Sequence, residues 1–155
     1  MRSVLVTIFC LIGASLFAEA IGGVEYGVPP KWKVATEIDN EQMQGIFYVP
    51  EEMKEGAIEC FSVSLAHDEV GKFDVKEFEK GLQIAFPEQT VQITVLEETP
   101  EATLYEWSAG KGSFYGWGRA FSQKNVLVSY QTNQDDKEGN IRSAWIARLQ
   151  KARTL

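Results

Sequence analysis

The sequence predicts an α+β domain: a single antiparallel sheet of about six to seven strands, flanked by a mid-chain helix and a C-terminal helix in an α/β/α sandwich. Three observations lead there. Residues 58–67 alternate, with Phe61, Val63 and Leu65 toward one side and Ser62, Ser64 and Ala66 toward the other, which is the period-two pattern of a half-buried strand. Asp74 and Glu77 form a capping-box-like pair just ahead of apolar residues at helical spacing. Strand-like blocks dominate the rest of the chain, and strands in blocks with few helices specify α+β with a mostly antiparallel sheet.

Each element has its own local reason. Residues 21–31 hold Gly22-Gly23, Gly27 and Pro29-Pro30 and read as an irregular lead-in. The apolar-rich runs 32–38 and 43–49 read as short strands, and Pro50 and Gly56 bracket an acidic turn before the strand at 58–67. A helix is expected over 75–86. Asp74 is its N-cap, and Phe73 and Phe78 can form a hydrophobic staple across the cap. Val75, Phe78, Leu82 and Ala85 supply a buried stripe, and Pro87 stops the helix near Phe86. Gly81 costs that helix roughly 1 kcal/mol against Ala and is expected to allow close approach to the sheet.

Four strands follow, at 90–97, 102–108, 113–122 and 126–131. Gly110-Lys111-Gly112 and Gln123-Lys124 are compact turns, so the last three strands should form an antiparallel meander. Phe114, Gly116, Gly118 and Ala120 share one face, small enough to receive a helix; Tyr115, Trp117, Arg119 and Phe121 share the other. A final helix is expected over 140–153, with Ile141, Trp145, Leu149 and Ala152 on its apolar face. Asp135, Asp136 and Glu138 precede it and Arg148, Lys151 and Arg153 end it, the charge order that suits the helix dipole. No internal repeat or low-complexity linker divides the chain, so residues 32–155 read as one domain.

Residues 1–20 read as a signal peptide. Arg2 supplies a minimal positive start, residues 4–16 an apolar core too short to span a bilayer comfortably, and Ala18-Glu19-Ala20 a small-x-small cleavage signature; the other reading of this segment is an N-terminal membrane anchor. Cleavage after Ala20 makes Ile21 the mature N-terminus and leaves Cys60 as the single cysteine, so the exported domain has no internal disulfide and is held by its core. Cys10 lies mid-way in the apolar run and cannot serve as a lipid-anchor cysteine. The expected location is secreted or periplasmic.

The chain has 155 residues, 45% of them hydrophobic, and a formal net charge of −7, unchanged by loss of Arg2 and Glu19. One core of that size needs no staples. The acidic balance argues against nucleic acid, whose binders carry basic stripes.

Val28-Pro29-Pro30-Lys31-Trp32 resembles the apolar-Pro-x-x-Trp opening of the PsbP-like fold. That fold is shared by photosystem II extrinsic proteins, a nuclear-import factor that binds a small GTPase, and small bacterial secreted proteins. The opening is followed there, as here over residues 28–153, by strands, a mid-chain helix (begun here by Phe73-Asp74-Val75), an antiparallel meander and a C-terminal helix. The resemblance implies an accessory or binding protein rather than an enzyme. No GTPase-binding or manganese-site motif matches position by position, so no site residue is implied.

Catalytic constellations are sparse. Cys60 and the single histidine, His67, lie on one expected strand, about 23 Å apart at ~3.3 Å per residue and on opposite faces, so they cannot act as a nucleophile-base pair. One Cys and one His do not make a zinc site. Asn133, Asp135, Asp136 and Glu138 have oxygen ligands but not the spacing of a calcium loop, and read as a solvated turn opening the last helix. Gly110-Lys111-Gly112-Ser113 is followed by a strand where a phosphate loop needs a helix. Glu51-Glu52 and Glu97-Glu98 are adjacent acids, and hydrolysis by carboxylates needs two that face each other across a cleft.

The unusual feature is aromatic. Tyr105, Trp107, Tyr115 and Trp117 fall in one hairpin, with Tyr130 on the next strand. They make either cross-strand core pairs or a binding platform. A three-residue loop puts Trp107 opposite Tyr115 and Tyr105 opposite Trp117; a two-residue loop sends the two pairs to opposite faces. The expected function is therefore a non-catalytic exported binding or accessory protein. Tyr105, Trp107, Tyr115 and Trp117 are its candidate ligand surface, and its partner is a protein or a glycan. No cofactor, metal, nucleic acid or membrane contact is expected after cleavage, and the chain is expected to be a monomer or weak dimer. The alternative is a small secreted hydrolase with a carboxylate pair.

Overall fold

A computed structural model describes residues 18–68 and 73–155. Arg2, the apolar core at 4–16 and Cys10 lie outside the described residues. Ten strands and two helices follow in order: β1 (Ala18–Ile21), β2 (Val24–Gly27), β3 (Trp32–Asp39), β4 (Met43–Pro50), β5 (Glu59–Ala66), α1 (Val75–Ala85), β6 (Val91–Glu98), β7 (Thr103–Ala109), β8 (Phe114–Phe121), β9 (Val126–Thr132), α2 (Asn140–Lys151) and β10 (Arg153–Thr154).

Seven strands form one antiparallel sheet in the order β3-β4-β5-β9-β8-β7-β6. β7 to β9 form the meander that the compact turns imply, and β6 extends it by pairing antiparallel with β7. β9 inserts beside β5, so the β3–β5 and β6–β9 blocks meet at the sheet centre. A second, three-stranded sheet, β1-β2-β10, is an addition to the single sheet expected.

That second sheet corrects the irregular lead-in expected over residues 21–31. Val24 and Tyr26 of β2 are buried, and the Tyr26 hydroxyl lies 3.0 Å from that of Tyr48 on β4. β2 is held on one side by β1 and on the other by β10, at the far end of the chain. The C-terminal helix accordingly ends at Lys151, short of Arg153, which instead pairs with Glu25 across β10 and β2. Ala18, Glu19 and Ala20 pair with Gly27, Tyr26 and Glu25, so cleavage after Ala20 would leave only Ile21 of β1.

The two helices cover opposite faces. Trp145 and Leu149 of α2 join Leu104, Trp117, Phe121, Tyr130, Phe61 and β2 in the larger core. Phe78 and Leu82 of α1, with Phe73 and Phe86, pack on Tyr105, Trp107 and Ala109. Asp74 caps α1 as expected, accepting from the N–H of Lys76 at 2.8 Å and of Glu77 at 3.4 Å, and the Phe73 and Phe78 rings stand 5.6 Å apart across the cap. Glu77 does not complete the capping box by any described bond; its carboxylate binds Lys80 at 2.6 Å. The stripe is only half-buried, and Phe86 rather than the exposed Ala85 supplies its last contact. Gly81 is exposed with open space where a Cβ would sit, so it mediates no close approach to the sheet.

The close approach lies in the sheet itself. Gly116 and Gly118 on β8 are opposite Trp107 and Tyr105 on β7. A Cβ at Gly116 would stand 2.8 Å from Trp107 Nε1, and one at Gly118 would overlap the phenol of Tyr105. The small face thus receives two aromatic rings from the neighbouring strand, and the phenylalanines around α1 pack on those rings. Phe73 stacks on Tyr105 at 4.7 Å and Phe86 lies 6.0 Å from Trp107.

Candidate functional site

The β7–β8 register settles where the four candidate aromatics go. The strands end at Ala109 and Phe114, leaving a four-residue link with left-handed backbone at Gly110, Lys111 and Gly112. An even-numbered link has the parity of the two-residue case. Tyr105 and Trp107 therefore face α1, while Tyr115 and Trp117 face α2. The four residues do not form one surface. Tyr105, Trp107 and Trp117 are buried, and Tyr115 alone is half-buried.

Trp117 belongs to an aromatic column. Its ring is near-parallel to Tyr130 at 6.0 Å and 6°, and Tyr130 in turn stacks on Trp145 at 3.8 Å and 12°. Neither face of that stack is offered to a ligand. The Trp117 indole N–H, however, points toward the surface and donates to Glu106 Oε2 at 3.0 Å.

Glu106 sits at the floor of a groove of about 600 Å³ on the α2 side. Gln92 and Thr94 of β6 and Glu106 and Ser108 of β7 form the floor, Tyr115 and Trp117 the inner edge, and residues 133–137 with Gly139 and Arg142 the wall. α2 begins beside β8 and β9 and leaves the β6–β7 corner of this face uncovered, which is why a groove forms there. Its wall is rigid for identifiable reasons. Asp136 accepts from the backbone N–H of Ile141 at 2.9 Å and of Arg142 at 2.8 Å, satisfying the open start of α2. The Tyr115 hydroxyl donates to the Gln134 carbonyl, and the Gln134 amide donates to Glu59 at 2.8 Å, which also accepts from Tyr130 at 2.7 Å. Asn133 ties the same loop to residues 56–58 through both ends of its amide.

Arg142 reaches across the groove to Glu106, with Nε 2.9 Å from Oε2. Burial pushes the Glu106 carboxyl up, but the Arg142 bond, the Trp117 indole N–H and the Arg142 charge outweigh it and hold the group below the ordinary carboxylate value. Burial, with the charges of Asp136, Asp135 and Glu59, pushes the Tyr115 phenol up. Glu106 is thus held as a carboxylate and Tyr115 as a neutral phenol. A carboxylic general acid needs the opposite shift.

The remaining candidates are placed apart. Cys60 is half-buried on β5, and burial pushes its thiol up, away from the reactive thiolate. His67 is exposed just past the end of β5, its backbone N–H bound to the Gln42 carbonyl. Glu51 and Glu52 are exposed after β4, and Glu97 and Glu98 lie at the end of β6, where Glu97 accepts from Gln150 at 3.3 Å. In the 133–138 turn the acids bind within the chain: Asp135 with Lys137, Asp136 with the α2 backbone and Glu138 with Asn140. Among the described residues no cluster of three or more His, Cys, Asp or Glu side chains could hold a metal ion, and no helix is long and apolar enough to cross a membrane.

Glu106 and Arg142 did not emerge from the sequence as site residues. The signal available was Glu106 lying between Tyr105 and Trp107 on a strand otherwise rich in buried side chains, a charged residue where the other face must open to water. No family model, curated protein or solved structure matches the chain.

Proposed function

We propose that this chain is a non-catalytic exported binding protein that takes up part of another protein in the groove beside Glu106 and Arg142. The observation that carries the reading is the convergence there of a fixed Glu106–Arg142 pair with the hydroxyl and amide side chains of Gln92, Thr94 and Ser108, on a wall braced by Asp136, Gln134 and Asn133. Preorganised polar side chains lose little freedom on binding, so they suit recognition. The buried faces of Trp107 and Trp117 favour a protein partner over a glycan, since neither indole offers a ring to stack on a sugar. The hydrolase alternative finds no support in Glu106, held ionised and paired. The resemblance of Val28-Pro29-Pro30-Lys31-Trp32 to the PsbP-like opening fits the same reading, as does the exported location expected from residues 1–20.

The test is Ser108→Arg, which fills the groove from a position already half-exposed. Immobilised wild-type and variant domains are compared for capture from the native extracellular or periplasmic fraction, with captured chains identified by mass. Loss of one specific chain at unchanged unfolding midpoint supports the reading. Equal capture by both proteins overturns it.

A further inference from the structure

The groove has a sheet edge along its outer rim. β6 is a terminal strand of the seven-stranded sheet, and Gln92 and Thr94, which floor the groove, are its outward positions on the α2 side. Folded proteins usually disarm such an edge with charges, proline or a bulge, because its unpaired N–H and C=O groups invite another strand. The opposite edge is disarmed: β3 carries Lys33, Glu37 and Asp39 and is bulged between Val34 and Thr36. On β6 the bulge and the acids are confined to the far half, at Val95 to Glu98. The near half, Val91-Gln92-Ile93-Thr94-Val95, pairs regularly with β7 and holds no charge, proline or glycine. Val95 is 40% exposed.

We propose that this half of β6 takes up an extended basic peptide segment as an eighth strand, with alternate side chains entering the groove. The inference rests on the binding reading above and specifies its ligand. The period of a strand carries the argument. A segment paired with Val91 to Val95 sends every second side chain over Gln92 and Thr94 toward Glu106 and the others toward the apolar Val91 and Ile93 side. Charge selects the occupant. Three carboxylates in the groove lining, Glu106, Asp135 and Asp136, stand against two cations, Lys137 and Arg142, an excess of one negative charge, and Glu97, farther along β6 on the same face, adds to it. A second copy of the chain would bring its own charge of −7 to the same edge, whereas a segment with lysine or arginine at alternate positions complements it.

The experiment uses the whole folded protein and four synthetic peptides: alternating lysine and threonine, its glutamate-for-lysine counterpart, a scrambled lysine-threonine peptide with prolines, and the alternating peptide with a fully N-methylated backbone. Binding is read by fluorescence anisotropy. The alternating lysine peptide should bind at least ~10-fold more tightly than the other three. Its binding should weaken as salt rises from about 0.02 M to about 0.5 M, as screening shortens the reach of the acids. Thr94→Lys, with an unchanged unfolding midpoint, should weaken it by a similar factor. Equal binding of the N-methylated peptide overturns strand addition while leaving the groove reading standing. Equal binding of the glutamate peptide overturns the charge assignment. Sedimentation of the protein alone as a dimer that Thr94→Lys dissociates gives the edge to a second copy and overturns the proposal.

Discussion

The Nε of Arg142 lies 2.9 Å from Oε2 of Glu106, and the Trp117 indole nitrogen lies 3.0 Å from the same oxygen. One carboxylate oxygen thereby joins the first turn of α2 to the aromatic column in the core and to the floor of the groove. The pair is part-exposed, so its Coulomb energy is modest, and its main effect is to fix where the charges stand.

Glu106→Gln should cost about 0.5–1 kcal/mol at neutral pH, the range for an exposed or part-exposed pair. The folded carboxyl holds its proton less tightly than the unfolded one, so the unfolded state binds more protons in the window between the two values. The contribution is fully present above the unfolded carboxyl value of about 4.3 and is lost as pH falls through the lower folded value. Urea unfolding of wild type and variant should therefore differ at neutral pH and converge in acid. A difference that grows on acidification contradicts the assignment.

Leu149→Ala should destabilise by about 2–5 kcal/mol, because Leu149 is wholly buried where α2 meets the sheet. A change below about 0.5 kcal/mol in urea unfolding would take that helix out of the core.

Arg119 is buried on β8, and its Nη1 donates to the carbonyls of Leu149, Gln150 and Ala152 at 3.2, 2.7 and 2.8 Å. They belong to the last turn of α2 and its C-cap, where helical carbonyls run out of intrahelical partners; the Leu149 carbonyl also accepts the Ala152 N–H at 3.2 Å. Arg119→Met keeps the stem and removes the donors, and should cost on the order of 1.5–3 kcal/mol, the range for a hydrogen bond to a charged group. Hydrogen exchange should quicken at the last turn of α2 and at β10 before it does elsewhere; uniform protection at those sites would contradict the capping role.

Two glycines should respond with opposite sign. Gly81→Ala should stabilise by about 0.5–1 kcal/mol, since the new methyl meets open space on an exposed helix. Gly118→Ala should destabilise by about 1–3 kcal/mol, since its methyl would overlap the Tyr105 ring in a packed layer. Thermal melts of the two variants check both, and the same sign for the two would contradict the packing described.

The contrast between those glycines shows which parts of the fold were legible. Asp74, Phe73 and Phe78 announce α1 because a cap and a staple are contacts within a few residues. The alternation of Phe61, Val63 and Leu65 announces β5 for the same local reason. β2 was not legible: it is four residues long, follows Gly23 and ends on Gly27, and one of its partners is β10 at the other end of the chain. Gly118 could not be told from Gly81, because its role depends on a ring delivered by the neighbouring strand. The site turned on one integer. The residue types of the β7–β8 hairpin were plain, but the length of the link decides which aromatics share a face, and three consecutive left-handed residues make that link longer than the glycines alone suggest. Glu106 and Arg142 meet only once α2 is docked, so neither carries a sequence signal of the pairing.

If the groove beside Glu106 and the edge of β6 take up a basic segment as proposed, the amides along that edge must respond to it. Amide chemical-shift mapping of the isotopically labelled protein, titrated with the alternating lysine-threonine peptide, tests it most directly. Shifts are expected at Val91, Gln92, Ile93, Thr94, Val95, Ser108 and Arg142, together with slowed exchange of β6 amides that face outward. Shifts confined to the β3 edge or to the α1 face, with β6 and Arg142 unmoved, would contradict it.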